Sequence, residues 1–194
     1  MKTDVIVITN EENQIEKALK LAEKTAIYKD LSKKDALTLR LLTEEMMSMV
    51  RAIAGTMEGK YWIEDEDNNF MLNLEVEGNL DFQQREQLVA ASTSGKNEAA
   101  KGVMGKIRAF FEAEQEYPFY LGSTLDYADG FDAGLNWSLD LYREQIMKSL
   151  KEKREGAAEA WDELEKSLVS KLADEVKVSV RGRKIKLVIY KKIA

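Results

Sequence analysis

A polar, cationic segment dotted with glycine, Ser92–Lys106, is the part of the sequence whose residue types best fit a chemical role. Glycine lets backbone N–H groups approach an anion, and the segment runs into an apolar helical pattern whose N-terminus would face that anion. This arrangement predicts a phosphate-binding loop or, alternatively, a flexible surface loop; its glycine spacing is not that of a P-loop. The candidate binding residues are Gly95, Lys96, Lys101, Gly102, Gly105 and Lys106.

The composition limits the chemistry that the chain can perform. The 194 residues include no cysteine and no histidine, which excludes disulfides, thiolate metal sites and histidine-dependent catalysis. Carboxylates, lysines, hydroxyls and backbone amides remain, and these groups suit a site for Mg²⁺ and phosphate.

Charge and hydropathy narrow the set of partners. A net charge of −6 disfavours a nucleic-acid backbone, because that backbone needs a clustered basic face. No apolar run reaches the roughly 20 residues that cross a bilayer, and the N-terminus lacks a signal-peptide pattern. We therefore expect a cytoplasmic protein without a membrane partner.

The first part of the chain reads as a strand, two helices and a hairpin. Val5–Ile8 is β-branched and predicts a strand, and apolar spacings of three and four predict helices that begin near Asn10 and Ser32. Period-two alternation then predicts a hairpin that turns at Asp67–Asn69. The acidic run Glu64–Asp67 is interpreted as the solvated end of this hairpin.

The second part of the chain is mostly helical and ends in another hairpin. Residues 81–91 and the region after the glycine-lysine segment predict short helices, and residues 135–172 predict a helical run that breaks at Gly156. Alternating valines, a turn at Gly182 and a second alternating run predict the final hairpin. The expected fold is a single α+β domain over residues 1–194, a two-layer sandwich with a mixed or antiparallel sheet covered by helices on one face.

The order of these elements resembles the histidine-kinase-like (GHKL, or Bergerat) ATPase superfamily, nearest to the anti-sigma-factor serine kinases. Leu39–Val50 resembles the first conserved helix of that family, and Lys101–Phe111 resembles its glycine-containing loop and next helix. Leu172–Val178 resembles its closing strands. The resemblance implies a cavity for ATP and Mg²⁺, and it makes residues 117–171 a helical insertion.

The conserved helix of that family carries the motif E-x-x-x-N. Glu45 stands at the Glu position, which implies a catalytic role in polarising the attacking water, but Met49 stands where the family has Asn. A thioether is a poor ligand for Mg²⁺, so another residue would have to bind the metal, and Ser48 is a candidate. The helical pattern alone equally predicts Met49 in the core and Glu45 in solvent.

The family places a D-x-G-x-G box after its hairpin, where the Asp binds the adenine amino group. The corresponding residues here are Glu75–Asn79, in which Gly78 keeps one glycine. Glu75 or Glu77 would accept the adenine hydrogen bond, whereas strand alternation alone would leave both in solvent.

These altered motifs predict a regulatory protein with a degenerate nucleotide site that acts by binding a partner protein. The apolar stripes of the 117–171 segment, together with Trp137 and Trp161, suit a partner or a homodimer, and they equally suit packing within the domain. One alternative is a functional ATP-binding protein or serine kinase with Glu45 as its base. Another is a nucleic-acid binder, because Gly102 and Gly105 with flanking lysines resemble the G-x-x-G loop of KH domains.

Overall fold

The computed structural model describes residues 1–9, 12–53, 58–77, 135–181 and 184–193. Along these residues the chain forms six strands and five helices, numbered here in chain order. The strands are β1 (Ile6–Thr9), β2 (Glu58–Glu66), β3 (Asn69–Glu77), β4 (Leu135–Ser138), β5 (Glu175–Arg181) and β6 (Lys184–Lys192). The helices are α1 (Glu12–Tyr28), α2 (Lys33–Ile53), α3 (Leu139–Lys151), α4 (Ala157–Lys166) and α5 (Leu168–Leu172).

The six strands form one antiparallel sheet in the order β1-β2-β3-β6-β5-β4. The β2–β3 hairpin turns at Asp67 and Asn68, whose φ angles are 49° and 64°. Two successive positive φ angles characterise a type I′ turn, whose twist matches that of the flanking strands. The predicted turn is therefore confirmed, and Asp and Asn tolerate this conformation better than most residues.

Alternation along the strands turns one face of the sheet toward the helices. Leu72 and Leu74 of β3 have no exposed surface, and Leu187 and Ile189 of β6 have at most 1% of their surface exposed. They share one apolar cluster with side chains of all five helices. The helices therefore form a layer on this face, and burial of the shared apolar surface is the main force that holds the layers together.

Helix α1 packs against α2 and buries a stripe of alanines. Ala18, Ala22 and Ala26 are spaced four residues apart and are buried. This spacing places them on one helix face, and their small size allows close packing there. The helix that the apolar spacing predicts near Asn10 is confirmed.

Local hydrogen bonds fix the connection between α1 and α2. The N–H of Leu31 donates to the carbonyl of Ala26 at 3.0 Å, and Asp30 between them has φ of 50°. This is a Schellman motif with Asp at the left-handed position that usually holds glycine. The hydroxyl of Ser32 then accepts the N–H of Asp35 at 3.2 Å, which caps the start of α2 at the predicted residue.

A carboxylate joins the start of β5 to the start of α3. Glu175 Oε1 accepts the N–H groups of Leu139 at 3.1 Å, Asp140 at 3.4 Å and Val176 at 2.7 Å. Burial raises the pKa of the Glu175 carboxyl, and the neighbouring Asp140 carboxylate adds to that rise. The contact orients α3, the first of the three helices after β4, relative to the sheet.

The strand pairing contains an approximate twofold axis, with Asn73 of β3 opposite Val188 of β6 at its centre. Both strands have nine residues and pair along their whole length. On each side of the axis the described chain has a short edge strand, then helices, then a hairpin. The two halves repeat one topology, although the sequence shows no matching repeat.

The expected α+β sandwich, with helices on one face of an antiparallel sheet, is confirmed. The prediction that residues 135–172 are helical is wrong at its beginning, because Leu135–Ser138 form β4 and pair with Lys177–Val180. The break at Gly156 is confirmed, since this residue has φ of 76° and precedes α4. The described part of the 117–171 segment supplies one strand to the sheet and three helices to the helix layer.

Candidate functional site

The residues proposed from the E-x-x-x-N motif lie near the C-terminal end of α2. Glu45 is buried with 7% of its surface exposed, and Met49 is buried in the apolar cluster with 2% exposed. Ser48 between them is half-buried. The structure thus places Met49 among core side chains and shows that Glu45, although charged, is not a solvated surface residue.

The remaining sequence-predicted residues divide into two groups. Glu77 is the last residue of β3, is exposed, and lies opposite Glu58 and Lys184 on the neighbouring strands. It therefore stands on a different element from Glu45, Ser48 and Met49. The other predicted residues lie outside the described residues: Gly78, Gly95, Lys96, Lys101, Gly102, Gly105 and Lys106.

A concave site lies at the opposite end of the β2–β3 hairpin from Glu77. Its volume is about 550 Å³. It is lined by Met1, Lys29, Asp65, Glu66, Asp67 and Asn68. The hairpin turn and the end of α1 form its walls, so two independent elements position its side chains.

An ion pair between a half-buried lysine and a buried aspartate lines this site. Lys29 Nζ lies 2.6 Å from Asp65 Oδ2, and the Asp65 side chain is only 3% exposed. The other carboxylate oxygen, Oδ1, is buried and has no hydrogen-bond partner within the described part of the chain. An unpaired lone-pair site on a buried carboxylate is costly, and such groups often mark a functional surface.

Strand parity explains why Asp65 is buried. It belongs to the same alternating set as Tyr61 and Ile63, whose side chains face the helices and are fully buried. The interpretation of Glu64–Asp67 as a wholly solvated run is wrong at Asp65. The signal was present in the sequence, because continuing the alternation from Ile63 by one step places Asp65 on the inner face.

The N-terminal segment is fastened beside this site. The Met1 amino group donates to the carbonyl of Asp65, and the N–H of Asp65 donates to the carbonyl of Met1 at 2.8 Å. Lys2 Nζ lies 2.9 Å from Glu64 Oε1, and this hydrogen bond lowers the pKa of Glu64. Trp62 donates its indole N–H to the same Glu64 oxygen at 2.8 Å, so these contacts align the segment along β2.

Exposed apolar side chains adjoin the cavity. Ile27 and Tyr28, in the last turn of α1 just before Lys29, are 80% and 77% exposed. Met1 is 42% exposed. Single exposed apolar residues are ordinary, but two large ones directly before the cavity residue Lys29 make this end of α1 a candidate contact surface.

The aromatic residues proposed for partner binding lie elsewhere. Trp137 of β4 is 6% exposed and belongs to the core cluster, and Trp161 of α4 packs against that cluster. The Trp137 and Tyr142 rings lie with centroids 6.0 Å apart. Trp137 therefore stabilises the domain and is not available at the surface.

Comparison with known proteins gives no match: no family model, curated protein or solved structure is significantly similar to this chain. In the described ranges, no helix is long and apolar enough to span a membrane. The same residues contain no group of three or more acidic side chains arranged to hold a metal ion.

Proposed function

We propose that this chain is a regulatory protein that binds a partner protein through a hairpin-end surface, defined as Met1, Ile27–Lys29 and Asp65–Asn68. The observation that carries the proposal is the exposure of Ile27 and Tyr28 beside the cavity. Tyrosine is among the residues that most often carry binding energy at protein interfaces, and an exposed isoleucine next to it adds apolar area that a partner can bury. Partner binding of this kind uses the cavity described above and requires no further one.

Charge on the same surface indicates the chemistry of the partner. Glu66 and Asp67 of this surface are exposed at the hairpin turn, and Asp30, which follows the surface residue Lys29, is exposed as well. The surface therefore combines apolar anchors with an acidic rim. It fits a partner that offers an apolar groove flanked by Lys or Arg.

We also propose that the fold is that of the histidine-kinase-like ATPases, with a degraded nucleotide site. Its support is that Met49 packs into the core at the position where the family motif holds a metal-binding Asn. A buried thioether offers Mg²⁺ no oxygen ligand. Loss of nucleotide chemistry on such a fold is compatible with a role in binding alone.

Nucleotide binding is the second candidate function, and the burial of Glu45 favours it. Glutamate is rarely buried, and Glu45 keeps only 7% of its surface exposed, so this charged group lies inside the fold and not in solvent. In this reading Glu45 is the general base and Ser48 a ligand of Mg²⁺.

Site-specific photocrosslinking tests the main proposal. A photoreactive amino acid replaces Tyr28 in cells that express the chain naturally, and the same amino acid replaces Met147 of α3, which is 44% exposed, as the matched control. We expect the Tyr28 position to capture one discrete protein that the Met147 position does not capture. The purified pair should then bind each other, with Ile27→Asp weakening the complex by at least about tenfold.

Two results would argue against the hairpin-end surface. Equal crosslinking from both positions would show non-specific contact, and unchanged affinity of the Ile27→Asp variant would place the interface elsewhere. Because Ile27 is 80% exposed, this variant should lose no more than about 1 kcal/mol of stability, chiefly from a negative charge in the last turn of α1, and should remain folded under the binding conditions.

Calorimetric titration with ATP and ADP, with and without Mg²⁺, tests the second candidate. A Kd below about 100 μM, which corresponds to roughly −5.5 kcal/mol, with loss of binding in Glu45→Gln would support it. Absence of heat at millimolar nucleotide, together with an unchanged melting temperature, would exclude it.

A further inference from the structure

The carboxylate of Asp65 is paired at one of its two oxygens only. Lys29 Nζ lies 2.6 Å from Oδ2, whereas Oδ1 is buried and has no hydrogen-bond partner among the residues that the structure describes. The Asp65 side chain is 3% exposed, so bulk solvent hardly reaches it. An ionised carboxylate accepts hydrogen bonds at both oxygens, and this buried one therefore retains capacity for a further donor.

The same carboxylate lines the cavity at the hairpin end. The cavity volume of about 550 Å³ lies within the range of small-molecule pockets, about 300–1,000 Å³. Its lining holds the carboxylates of Asp65, Glu66 and Asp67 against the Lys29 ammonium and the Met1 amino group. Negative charge is in excess, so the cavity attracts a cationic group.

A guanidinium group fits the Asp65 carboxylate better than an ammonium group does. An ammonium is a compact point charge, and that of Lys29 bonds Oδ2 while Oδ1 stays unpaired. A guanidinium presents parallel N–H donors in a planar fork, which can bond both oxygens of one carboxylate at once. A guanidinium that entered the cavity would therefore satisfy the atom that Lys29 leaves without a partner.

We infer that the hairpin-end cavity is a guanidinium site, at which an arginine of the partner protein displaces Lys29 and binds both carboxylate oxygens of Asp65. The inference rests on the proposed function, because it concerns the same surface and names the side chain by which the partner enters it. Ile27 and Tyr28 supply the apolar contacts around the cavity, and Asp65 selects arginine over lysine.

Lys29 is suited to being displaced. It follows the last residue of α1, and 25% of its side chain is exposed. Its ammonium is carried on a flexible four-carbon stem and is strongly hydrated in water, so the charge regains solvation when it leaves the cavity. Lys29 thus covers Asp65 in the free protein and exchanges with the arginine when the partner binds.

Titration of the isotopically labelled full chain with three small probes tests the site without a partner. The probes are N-acetyl-argininamide, N-acetyl-lysinamide and N-acetyl-citrullinamide, which end in a guanidinium, an ammonium and a neutral urea group. We expect the arginine probe to shift the backbone amide resonances of Lys29 and Asp65–Asn68, with a Kd on the order of millimolar because so small a ligand makes few contacts. The other two probes should bind at least about fivefold more weakly.

Two aspartate variants localise the charge that the probe requires. Asp65→Asn should weaken binding of the arginine probe at least about tenfold, because it removes the charge of the paired carboxylate. Asp67→Asn is the matched control: it removes the same charge from an exposed cavity residue with φ of 49°, which asparagine tolerates. It should change the Kd by less than about threefold, since an exposed charge is screened by solvent.

Lys29→Arg keeps the test decisive if Asp65→Asn does not fold. An arginine at this position bonds both Asp65 oxygens from within the chain, so it should block the cavity and weaken the arginine probe at least about tenfold. Lys33→Arg, at an exposed lysine at the start of α2, makes the same change away from the cavity and should leave the Kd unchanged.

Equal affinity for the arginine and lysine probes, equal losses in the two aspartate variants, or no shift at Asp65–Asn68 would overturn the guanidinium site. These titrations need no partner, so they fail independently of the proposed function, which fails when Ile27→Asp leaves the captured complex unchanged. In that complex, Asp65→Asn and Lys29→Arg should each raise the Kd at least about tenfold. Unchanged affinity of both variants would overturn the role of a partner arginine.

Discussion

A hydrogen bond buried between the helix layer and the sheet allows a sharp prediction about stability. Thr43 of α2 and Tyr61 of β2 are both fully buried, and their hydroxyl oxygens lie 2.9 Å apart. The Thr43 hydroxyl also donates to the carbonyl of Leu39 at 2.8 Å. A threonine hydroxyl has one hydrogen, so Tyr61 must be the donor in the bond between the two side chains.

This direction makes the two single substitutions unequal. Tyr61→Phe removes a donor and leaves Thr43 still bonded to Leu39, so it should lower the free energy of unfolding by only about 1 kcal/mol. Thr43→Val preserves shape but leaves the buried Tyr61 O–H without an acceptor, which should cost about 1–3 kcal/mol. In the double variant no donor is stranded, so its loss should be smaller than the sum of the two single losses.

Urea unfolding followed by tryptophan fluorescence measures these differences. Tyr28→Phe is the matched control, because Tyr28 is 77% exposed and its hydroxyl should contribute less than about 0.5 kcal/mol. A Thr43→Val variant as stable as the wild type, or a Tyr61→Phe variant less stable than Thr43→Val, would refute the assignment of donor and acceptor.

The same pair predicts behaviour at alkaline pH. Burial raises the pKa of Tyr61 far above its ordinary value. A raised pKa in the folded state means that the stability contributed by protonated Tyr61 is complete below the unfolded pKa and is lost as the pH rises above it. The wild type should therefore lose stability above about pH 10 more steeply than Tyr61→Phe does, and parallel curves would contradict this.

Three further substitutions test other contacts by the same unfolding assay. Asp30→Gly should stabilise the protein by about 0.5–1 kcal/mol, because glycine has no Cβ to strain at φ of 50°, and a loss of stability would contradict the Schellman assignment. Gly59→Ala should lower the free energy of unfolding by about 1–3 kcal/mol, since the new Cβ would lie 3.0 Å from the carbonyl oxygen of Glu75. An unchanged stability would show that β2 can shift to accommodate the new Cβ. Burial raises the pKa of Glu175, so its contribution to stability is present below the unfolded pKa and is lost as the pH rises through the folded pKa. The wild type should therefore weaken relative to Glu175→Gln as the pH rises above the ordinary glutamate pKa of about 4.3, and a difference that does not change with pH would count against this.

Local patterns were sufficient to predict the elements that bury one face. The period-two runs of both hairpins and the three-and-four spacing of α2 each specify an apolar face directly. The cap at Ser32 and the turn at Asp67 depend on neighbouring residues alone. These features are confirmed because no distant contact competes with them.

The features that were missed depend on distant residues. Leu135–Ser138 continues the apolar spacing of the helix that follows, and it becomes a strand because β5 is available for pairing. The cavity beside Asp65 requires the end of α1 to meet the hairpin turn, and the sequence shows neither the meeting nor the ion pair with Lys29. The candidate nucleotide residues in the glycine-lysine segment stay predictions, because they lie outside the described residues.

The approximate twofold axis between β3 and β6 has a consequence for how the protein is assembled. Consider two separate chains, each with one edge strand, its helices and one hairpin. They would pair through their central strands as a homodimer, and the stability of that homodimer would decrease on dilution. Covalent linkage makes that meeting intramolecular, so it no longer depends on protein concentration. The two halves of one chain are also free to differ: one carries the Asp65–Lys29 pair, and the other carries the Glu175 contact to α3. In a symmetric homodimer each substitution would change both equivalent sites, whereas a single chain can specialise one end and leave the other to hold the fold.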